Sequence, residues 1–263
     1  KREGPRQRTP PHGARGERVS AAGLALDPGI DRAAARSRFA ADGRVLIDPV
    51  LRAEDAETAH AAARAHAVWN RVTRINGAHR DFDAAALDQL TPDQWAPIEA
   101  AIHAEARSGF QYLFDNVALY EDGRSGALAR TGLQPLFDLV RSEAFLALGR
   151  AVTGFDDIAF ADCQLTRFRA GHFLTAHDDA VEGKNRRAAY VLYLTRDWRP
   201  DAGGQLQFLG DDGHVEAAFT PGFNALALFA VPRDHAVSPV APWVEASRYA
   251  VTGWLRAGDE PAA

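Results

Sequence analysis

The sequence predicts an α+β fold in which antiparallel strands form a double-stranded β-helix, or jelly roll, buttressed by N-terminal helices. Three observations lead there. Upstream of about residue 155, apolar residues recur at helical intervals. From Ile158 onward, short strand-like runs are separated by turn-rich segments with no helical pattern between them, and such strands pack as antiparallel double sheets. The 263 residues, 46% of them hydrophobic, suffice for one large core. The expected organisation is a tail over residues 1–22 and a single domain over 23–263, with a helical part at about 23–155 and the jelly-roll core at about 156–256.

Lys1 to Arg18 is rich in Pro, Gly and Arg and nearly devoid of large apolar side chains, so burial cannot offset the entropy of ordering it, and a disordered basic tail is expected. Ile30 to Ala41 reads as a short helix, Arg44 to Ile47 as a strand and Ala53 to Trp69 as an Ala-rich helix. His60 and His66 on that helix have no acidic or thiol group at metal spacing and read as packing or exposed residues. Thr91-Pro92-Asp93-Gln94 has the signature of a helix start, with Thr91 as N-cap, Pro92 at the first position and Gln94 closing a capping box. Trp95, Ile98, Ile102 and Ala106 then form one stripe against the sheet. Gly109 to Phe114 is an aromatic cluster assigned to the core, with strand or substrate mouth as the alternatives. A further helix is expected from Gln134 to Ala151, carrying Leu136, Leu139, Val140 and Leu146 at helical intervals.

The expected strands are Ile158 to Arg169, Arg187 to Thr195, Gln205 to Leu209, Val215 to Phe219, Ala225 to Phe229, Ala236 to Val240 and Tyr249 to Leu255. Asp201-Ala202-Gly203-Gly204 and Asp211-Asp212-Gly213-His214 read as turns, which places His214 away from any metal. Tyr190 to Leu194 is apolar on both faces, as befits a strand buried on both sides.

Composition narrows the function classes. A net charge of −5 gives no general attraction to nucleic acid or to an anionic membrane, so neither is expected as a partner. No apolar run is long enough to span a bilayer. Cys163 is the only cysteine and the first residues carry no secretory signal, so the cytoplasm is the expected location.

The chemistry concentrates in His177-Asp178-Asp179, His235 and Arg248. Strand side chains two apart share a face, so His177 and Asp179 on one strand would reach a common metal with Asp178 turned away. His235, 58 positions beyond His177, must come from another strand brought alongside. Two imidazoles and one carboxylate on one face of a metal are the ligand set of non-haem Fe(II) oxygenases, with open positions for a chelating 2-oxo acid and oxygen. Arg248 offers a fixed cation for a bidentate carboxylate contact, which points to a dicarboxylate such as 2-oxoglutarate. Arg248, Ala250, Thr252 and Trp254 share one strand face, so the guanidinium and the Thr252 hydroxyl line one pocket while Tyr249, Val251 and Leu255 pack behind. A His-x-Asp pair alone occurs by chance; the ordered company of Gly203-Gly204, Pro221-Gly222, His235 and Arg248 gives it weight. The bland alternatives are a surface salt bridge for Arg248 and an ordinary core tyrosine for Tyr193.

From about Asp162 to Leu255 the chain resembles the Fe(II)- and 2-oxoglutarate-dependent dioxygenases of the prolyl-hydroxylase type. His177-Asp178-Asp179 followed by Arg186-Arg187-Ala188-Ala189-Tyr190-Val191-Leu192-Tyr193-Leu194 is most similar to the ribosomal-protein prolyl hydroxylases. Tyr193-Leu194-Thr195-Arg196-Asp197-Trp198 and Arg248-Tyr249-Ala250-Val251-Thr252 also resemble the oxygen-sensing prolyl hydroxylases of animals. The resemblance implies His177, Asp179 and His235 as iron ligands, Arg248 as partner of the distal 2-oxoglutarate carboxylate, and Tyr193 and Thr252 as its hydrogen-bonding neighbours. It implies Fe(II), 2-oxoglutarate and O2 as cofactor and cosubstrates, with ascorbate as a candidate reductant. The implied reaction is hydroxylation of an unactivated C–H bond, foremost of a prolyl residue in a protein or peptide, with release of succinate and CO2. A free amino acid or small metabolite is the alternative substrate, and a non-catalytic metal- or ligand-binding barrel the alternative class.

Two departures from the family pattern stand out. Phe168 occupies the place where many relatives carry a cosubstrate-touching Tyr. The ribosomal-protein enzymes continue into a second, silent barrel, whereas this sequence ends shortly after Trp254, which sets a ribosomal substrate in question. Arg186 and Arg187 are candidate substrate contacts beside the Ala180 to Asn185 loop, with solvated surface charges as the alternative. His172, five residues before His177, is expected to help shape the entrance.

Overall fold

The structure is a computed structural model and describes residues 23–261. The basic tail expected over residues 1–22 lies outside the described residues. The helices, in chain order, are α1 (Arg32–Asp42), α2 (Ala53–Ala65), α3 (Ala84–Asp88), α4 (Pro92–Ala106), α5 (Leu119–Ser125), α6 (Gln134–Arg141) and α7 (Glu143–Thr153). The strands are β1 (Arg44–Ile47), β2 (Asn70–Ile75), β3 (Ala78–Asp83), β4 (Tyr112–Val117), β5 (Ile158–Ala161), β6 (Gln164–Phe168) and β7 (Phe173–His177). They continue as β8 (Arg186–Leu194), β9 (Leu206–Leu209), β10 (Val215–Phe219), β11 (Phe223–Ala230), β12 (His235–Val237) and β13 (Arg248–Ala257).

Among the described residues these strands form one antiparallel sheet in the order β1-β11-β8-β13-β6-β4-β7-β12-β9-β10, with β2 and β3 added beside β4 and β5 beside β13. The sheet wraps into a nearly closed barrel, the jelly-roll architecture expected from the sequence. No helix among the described residues is long and apolar enough to cross a membrane.

Alternation along β8, β11 and β13 sorts the core into two parts. Leu192, Leu194, Leu226, Leu228, Val251 and Leu255 face outward into a large cluster with Phe39, Ala59, Leu136, Phe145 and Val152 of the buttressing helices. The inward positions Ala189, Val191, Ala225, Ala227 and Ala250 are mostly small. Small side chains on the inner face keep the barrel from filling completely, and that space becomes the site described below.

Several boundaries differ from the sequence reading, for local reasons. The helix expected through Ala151 breaks at Ser142, whose ψ of 145° ends α6 and whose hydroxyl accepts from the Phe145 N–H to start α7. α2 stops at Ala65, and the chain then runs extended to Trp69, whose indole N–H donates to the His66 carbonyl. The strand expected over Ile158 to Arg169 is two strands, β5 and β6. The hairpin of β2 and β3 escaped the sequence reading although its turn, Asn76-Gly77 with φ of 54° and 72°, carries the usual signature of a two-residue hairpin. Its strands are mostly polar, so no apolar alternation announced them. The Thr91 capping box forms as expected, with reciprocal bonds between Thr91 and Gln94.

One charged cluster ties the added strands to the barrel. The Asp115 carboxylate on β4 is fully buried and accepts from Arg71 of β2 at 2.8 Å and from Arg167 of β6 at 2.7 and 3.0 Å. Arg169 approaches the same carboxylate at 3.2 Å and also forms a fork on Asp88. Removing this carboxylate would leave Arg167 without a carboxylate partner and take one of two from Arg71 and Arg169, which keep Asp88 at 3.0 and 2.8 Å. Asp115→Ala is therefore expected to cost about 3 kcal/mol of stability, measured by urea unfolding followed by circular dichroism; a loss below about 1 kcal/mol would show that the cluster is not structural.

Candidate metal and dicarboxylate site

His177 is the last residue of β7 and His235 the first of β12, and the two strands pair so that these histidines are direct cross-strand partners. Their ring centroids are 4.2 Å apart. Asp179 follows two residues after His177, but not on the same strand as expected: β7 ends at His177, and the Asp178 carboxylate accepts from the Ala180 N–H and turns the chain. The turn still delivers Asp179 to the histidines, with its two oxygens 3.7 Å from His177 Nε2 and 3.5 Å from His235 Nε2. One ligand atom from each of the three residues lies within 4.8 Å of the others, and this is the one such group of three metal-ligating side chains among the described residues. Ligands about 2.1 Å from a metal at adjacent octahedral corners stand about 3 Å apart, so small side-chain rotations bring the set into register.

Backbone carbonyls orient both rings. His177 Nδ1 lies 2.9 Å from the Thr175 carbonyl and His235 Nδ1 lies 2.8 Å from the Arg233 carbonyl. A carbonyl accepts only, so each Nδ1 carries the proton and each Nε2 turns its lone pair toward Asp179. Burial, and next the neighbouring His177, hold His235 below its ordinary pKa and favour the neutral ligand form. Arg186 donates to the Asp179 carbonyl at 2.9 Å and lies over the Trp254 ring at 3.4 Å from its centroid, so it anchors the carboxylate-bearing turn.

The triad opens into a cavity of about 400 Å³ that Arg248 and Thr252 of β13 also line. Arg248 is 1% exposed and forms no ion pair with any carboxylate among the described residues; its Nε has no hydrogen-bond partner there either. Burial lowers its pKa below the ordinary guanidinium value. The Arg248 guanidinium sits 4.9 Å from the Phe168 ring centroid and 5.2 Å from that of Tyr193. The Tyr193 hydroxyl is likewise buried without a good hydrogen-bond partner, and burial pushes its pKa up. A buried cation without a carboxylate is costly, and an anion entering the cavity would repay that cost. The alternation of β13 holds: Arg248, Thr252 and Trp254 line the cavity, while Tyr249, Val251 and Leu255 pack on the helical side.

Other residues fall differently. Arg187 is not gathered into the site; it is 40% exposed at its side chain and pairs with Asp157 at 2.6 Å. The aromatic segment assigned to the core is divided, because Phe110, Tyr112 and Phe114 line the cavity and Phe110, 39% exposed, lies 5.0 Å from the His177 ring. His172 does not shape the entrance. It is 4% exposed and packs edge-on to Phe168, with its carbonyl accepting from Val240 N. Asn116, Gln164 and Trp254 also line the cavity. Nothing in the sequence singled out the two amides, whereas Trp254 was legible as sharing a face with Thr252.

Comparison with known proteins agrees with this geometry. Residues 163–256 match the 2OG-Fe(II) oxygenase superfamily. The chain is 34% identical over 120 residues to prolyl 3-hydroxylase OGFOD1 of Mus musculus, covering 43% of this chain and 22% of the relative. The Xenopus laevis protein of that name is 36% identical over 89 residues, 31% of this chain and 17% of the relative. The chain thus spans about a fifth of the length of the curated relatives it matches. Among solved structures, a Trichoplax adhaerens prolyl hydroxylase in complex with a hypoxia-inducible-factor peptide superposes with a TM-score of 0.57 at 17% identity, covering 86% of this chain and 89% of the other. A 2OG-Fe(II) oxygenase family oxidoreductase of Burkholderia pseudomallei gives 0.55 at 13% identity, covering 89% and 95%. At these identities the structures show the shared fold.

The buried histidine beside the site gives a pH signature of its own. Burial first, and the nearby Arg71 next, push the His172 pKa from 6.5 down to about 3. The unfolded chain therefore takes up a proton below about pH 6.5 that the folded chain refuses, and stability falls as pH drops from there toward 3. Between pH 7 and pH 5 this one group accounts for a loss of about 2 kcal/mol. Urea unfolding of His172→Asn at both pH values should show the decline reduced by that amount, and an unaltered decline would contradict the assignment.

Proposed function

With residues 163–256 a 2OG-Fe(II) oxygenase domain, we propose that the protein is an Fe(II)- and 2-oxoglutarate-dependent dioxygenase that hydroxylates a prolyl residue of a protein or peptide. The observation that carries the reading is a single cavity with a His-Asp-His group at one wall and a buried, carboxylate-free arginine at another. Either feature alone has a structural explanation. Together they match a metal and a dicarboxylate that must be held in fixed relation.

In this reading His177, Asp179 and His235 hold the metal through Nε2, a carboxylate oxygen and Nε2. Arg248 forms the charge-assisted contact to the distal carboxylate of 2-oxoglutarate, with the Thr252 and Tyr193 hydroxyls as hydrogen-bonding neighbours. When bound, iron with 2-oxoglutarate and O2 supplies the oxidising power that inserts one oxygen atom into a C–H bond and releases succinate and CO2. The protein's own contribution is placement and dryness. Phe114, Phe168, Leu206 and Phe229 line the cavity and exclude water from the reacting centre. Arg186 fixes the backbone at Asp179, so the carboxylate meets the metal in one orientation. Asp179 serves as ligand and not as general base, because a carboxylate on a divalent ion has lost much of its basicity.

A prolyl substrate is supported by the similar mouse, frog and Trichoplax proteins, all prolyl hydroxylases, the first two much longer than the matched segment and the third 17% identical. The cavity's apolar walls suit a saturated ring.

Anaerobic addition of Fe(II) and 2-oxoglutarate to the purified protein should give a weak visible charge-transfer band that His177→Ala abolishes; a wild type without the band would remove the basis of the assignment. In Arg248→Ala, the 2-oxoglutarate concentration needed to develop the band should rise by about two orders of magnitude, while the metal alone still binds. An unchanged requirement would refute the anchoring role.

A further inference from the structure

One wall of the cavity carries polar groups that neither the metal set nor the Arg248 end employs. Gln164 on β6 lies opposite Thr252 in register, and Asn116 on β4 lies opposite Thr166 of the same strand β6. Both amides line the cavity, and Asn116 Nδ2 donates to Gln164 Oε1 at 3.0 Å. Asn116 Oδ1 is buried and has no hydrogen-bond partner among the described residues. The indole Nε1 of Trp254, two residues along the same face from Thr252, is also buried without one.

Two side-chain amides joined by one hydrogen bond leave a definite remainder. The bond consumes one N–H and one carbonyl oxygen, so one carbonyl oxygen, one NH2 group and the second N–H of the donating amide remain for something else. Exchanging the oxygen and nitrogen of both amides gives the same remainder, so the conclusion does not depend on how they are assigned. The wall therefore offers an acceptor and a donor side by side. A carboxylate satisfies only the donor, and a hydrocarbon satisfies neither. The zwitterion of a free amino acid would set two full charges against neutral amides in a desolvated wall, at a cost those amides cannot return. A peptide group presents one C=O and one N–H without charge and satisfies both.

We propose that the Asn116–Gln164 pair is a specificity-determining element that reads a backbone peptide group flanking the target residue, so that the enzyme accepts proline within a polypeptide and rejects the free amino acid. The proposal rests on the oxygenase reading given above and specifies its substrate class. Trp254, with its ring fixed beneath Arg186, supplies the neighbouring donor on the same wall.

The test uses the full chain with Fe(II), 2-oxoglutarate and O2. The probe is a library of N-acetylated, C-amidated peptides with one proline between randomised residues, scored by the mass of one added oxygen atom, with free L-proline in parallel. The best peptide is then remade as two esters, in which the backbone N–H of the residue before or after the proline is replaced by oxygen. In the wild type one ester should lose about tenfold or more in kcat/KM relative to the amide, because a site built to accept an N–H penalises its loss. In Asn116→Leu the amide should fall toward the ester, leaving a ratio below about threefold. A merely structural role for Asn116 would lower both substrates alike and preserve the ratio. Asn116→Ala, the smaller perturbation, replaces the leucine variant if that one has lost the visible band of bound metal and 2-oxoglutarate, and it too should bring the ratio below about threefold. Equal use of amide and esters by the wild type overturns the inference, as does a mark on free proline with none on any peptide. The visible band in the same wild-type sample reads the oxygenase assignment separately, so the two failures are distinguishable.

Discussion

The pairing of β7 with β12 is the constraint on which the site depends. It sets His177 against His235 as cross-strand neighbours although they are 58 positions apart in the chain. Each ring is then fixed by a carbonyl of its own strand or its flank, Thr175 for one and Arg233 for the other. A one-residue slip of this ladder would send one imidazole to the opposite face and dissolve the group of three. The rest of the barrel keeps that register. β9 pairs with β12 on its other side, and β4 holds β7 at Tyr112 and Leu113.

Space for chemistry comes from a division of labour between the faces of the sheet. The outward positions of β8, β11 and β13 are mostly large aliphatics packed on helices, while the inward positions set Ala189, Ala225, Ala227 and Ala250 among the larger Tyr193 and Phe229. The helices thus supply the hydrophobic stabilisation that an open barrel interior gives up. Into that interior project a few polar groups whose hydrogen-bonding capacity the protein itself leaves unmet: Arg248, Tyr193, Asn116 and Trp254. Native interiors satisfy nearly all buried polar atoms, so unmet groups that face one cavity are where a ligand would provide the partners.

The Asp115 cluster shows how the accessory hairpin is bound to the barrel. Strand β2 contributes Arg71, β4 contributes Asp115, and β6 and the residue just beyond it contribute Arg167 and Arg169. The cluster lies on the face opposite Phe114 and Phe168, which stack at 5.0 Å beside the cavity. The same strands therefore carry charge pairing on one face and the site's aromatic lining on the other, because successive strand residues point to opposite sides.

What the sequence determined by itself was everything that depends on short-range periodicity and residue chemistry. The alternation of Arg248, Thr252 and Trp254, the two-sided apolar run of β8, the Thr91 capping box and the candidate metal triad could all be read along the chain. Polar hairpin strands carry no apolar alternation, so β2 and β3 could not, and Ser142 ended a helix that apolar spacing alone would have continued. Tertiary structure decided which of the charged and amide side chains meet. It sent Arg187 outward to Asp157, turned Arg186 onto Asp179 and Trp254, buried His172 behind Phe168, and joined Asn116 to Gln164 across two strands. Those outcomes depend on strand register and on burial, which are properties of contacts between distant segments and are not encoded at any one of them.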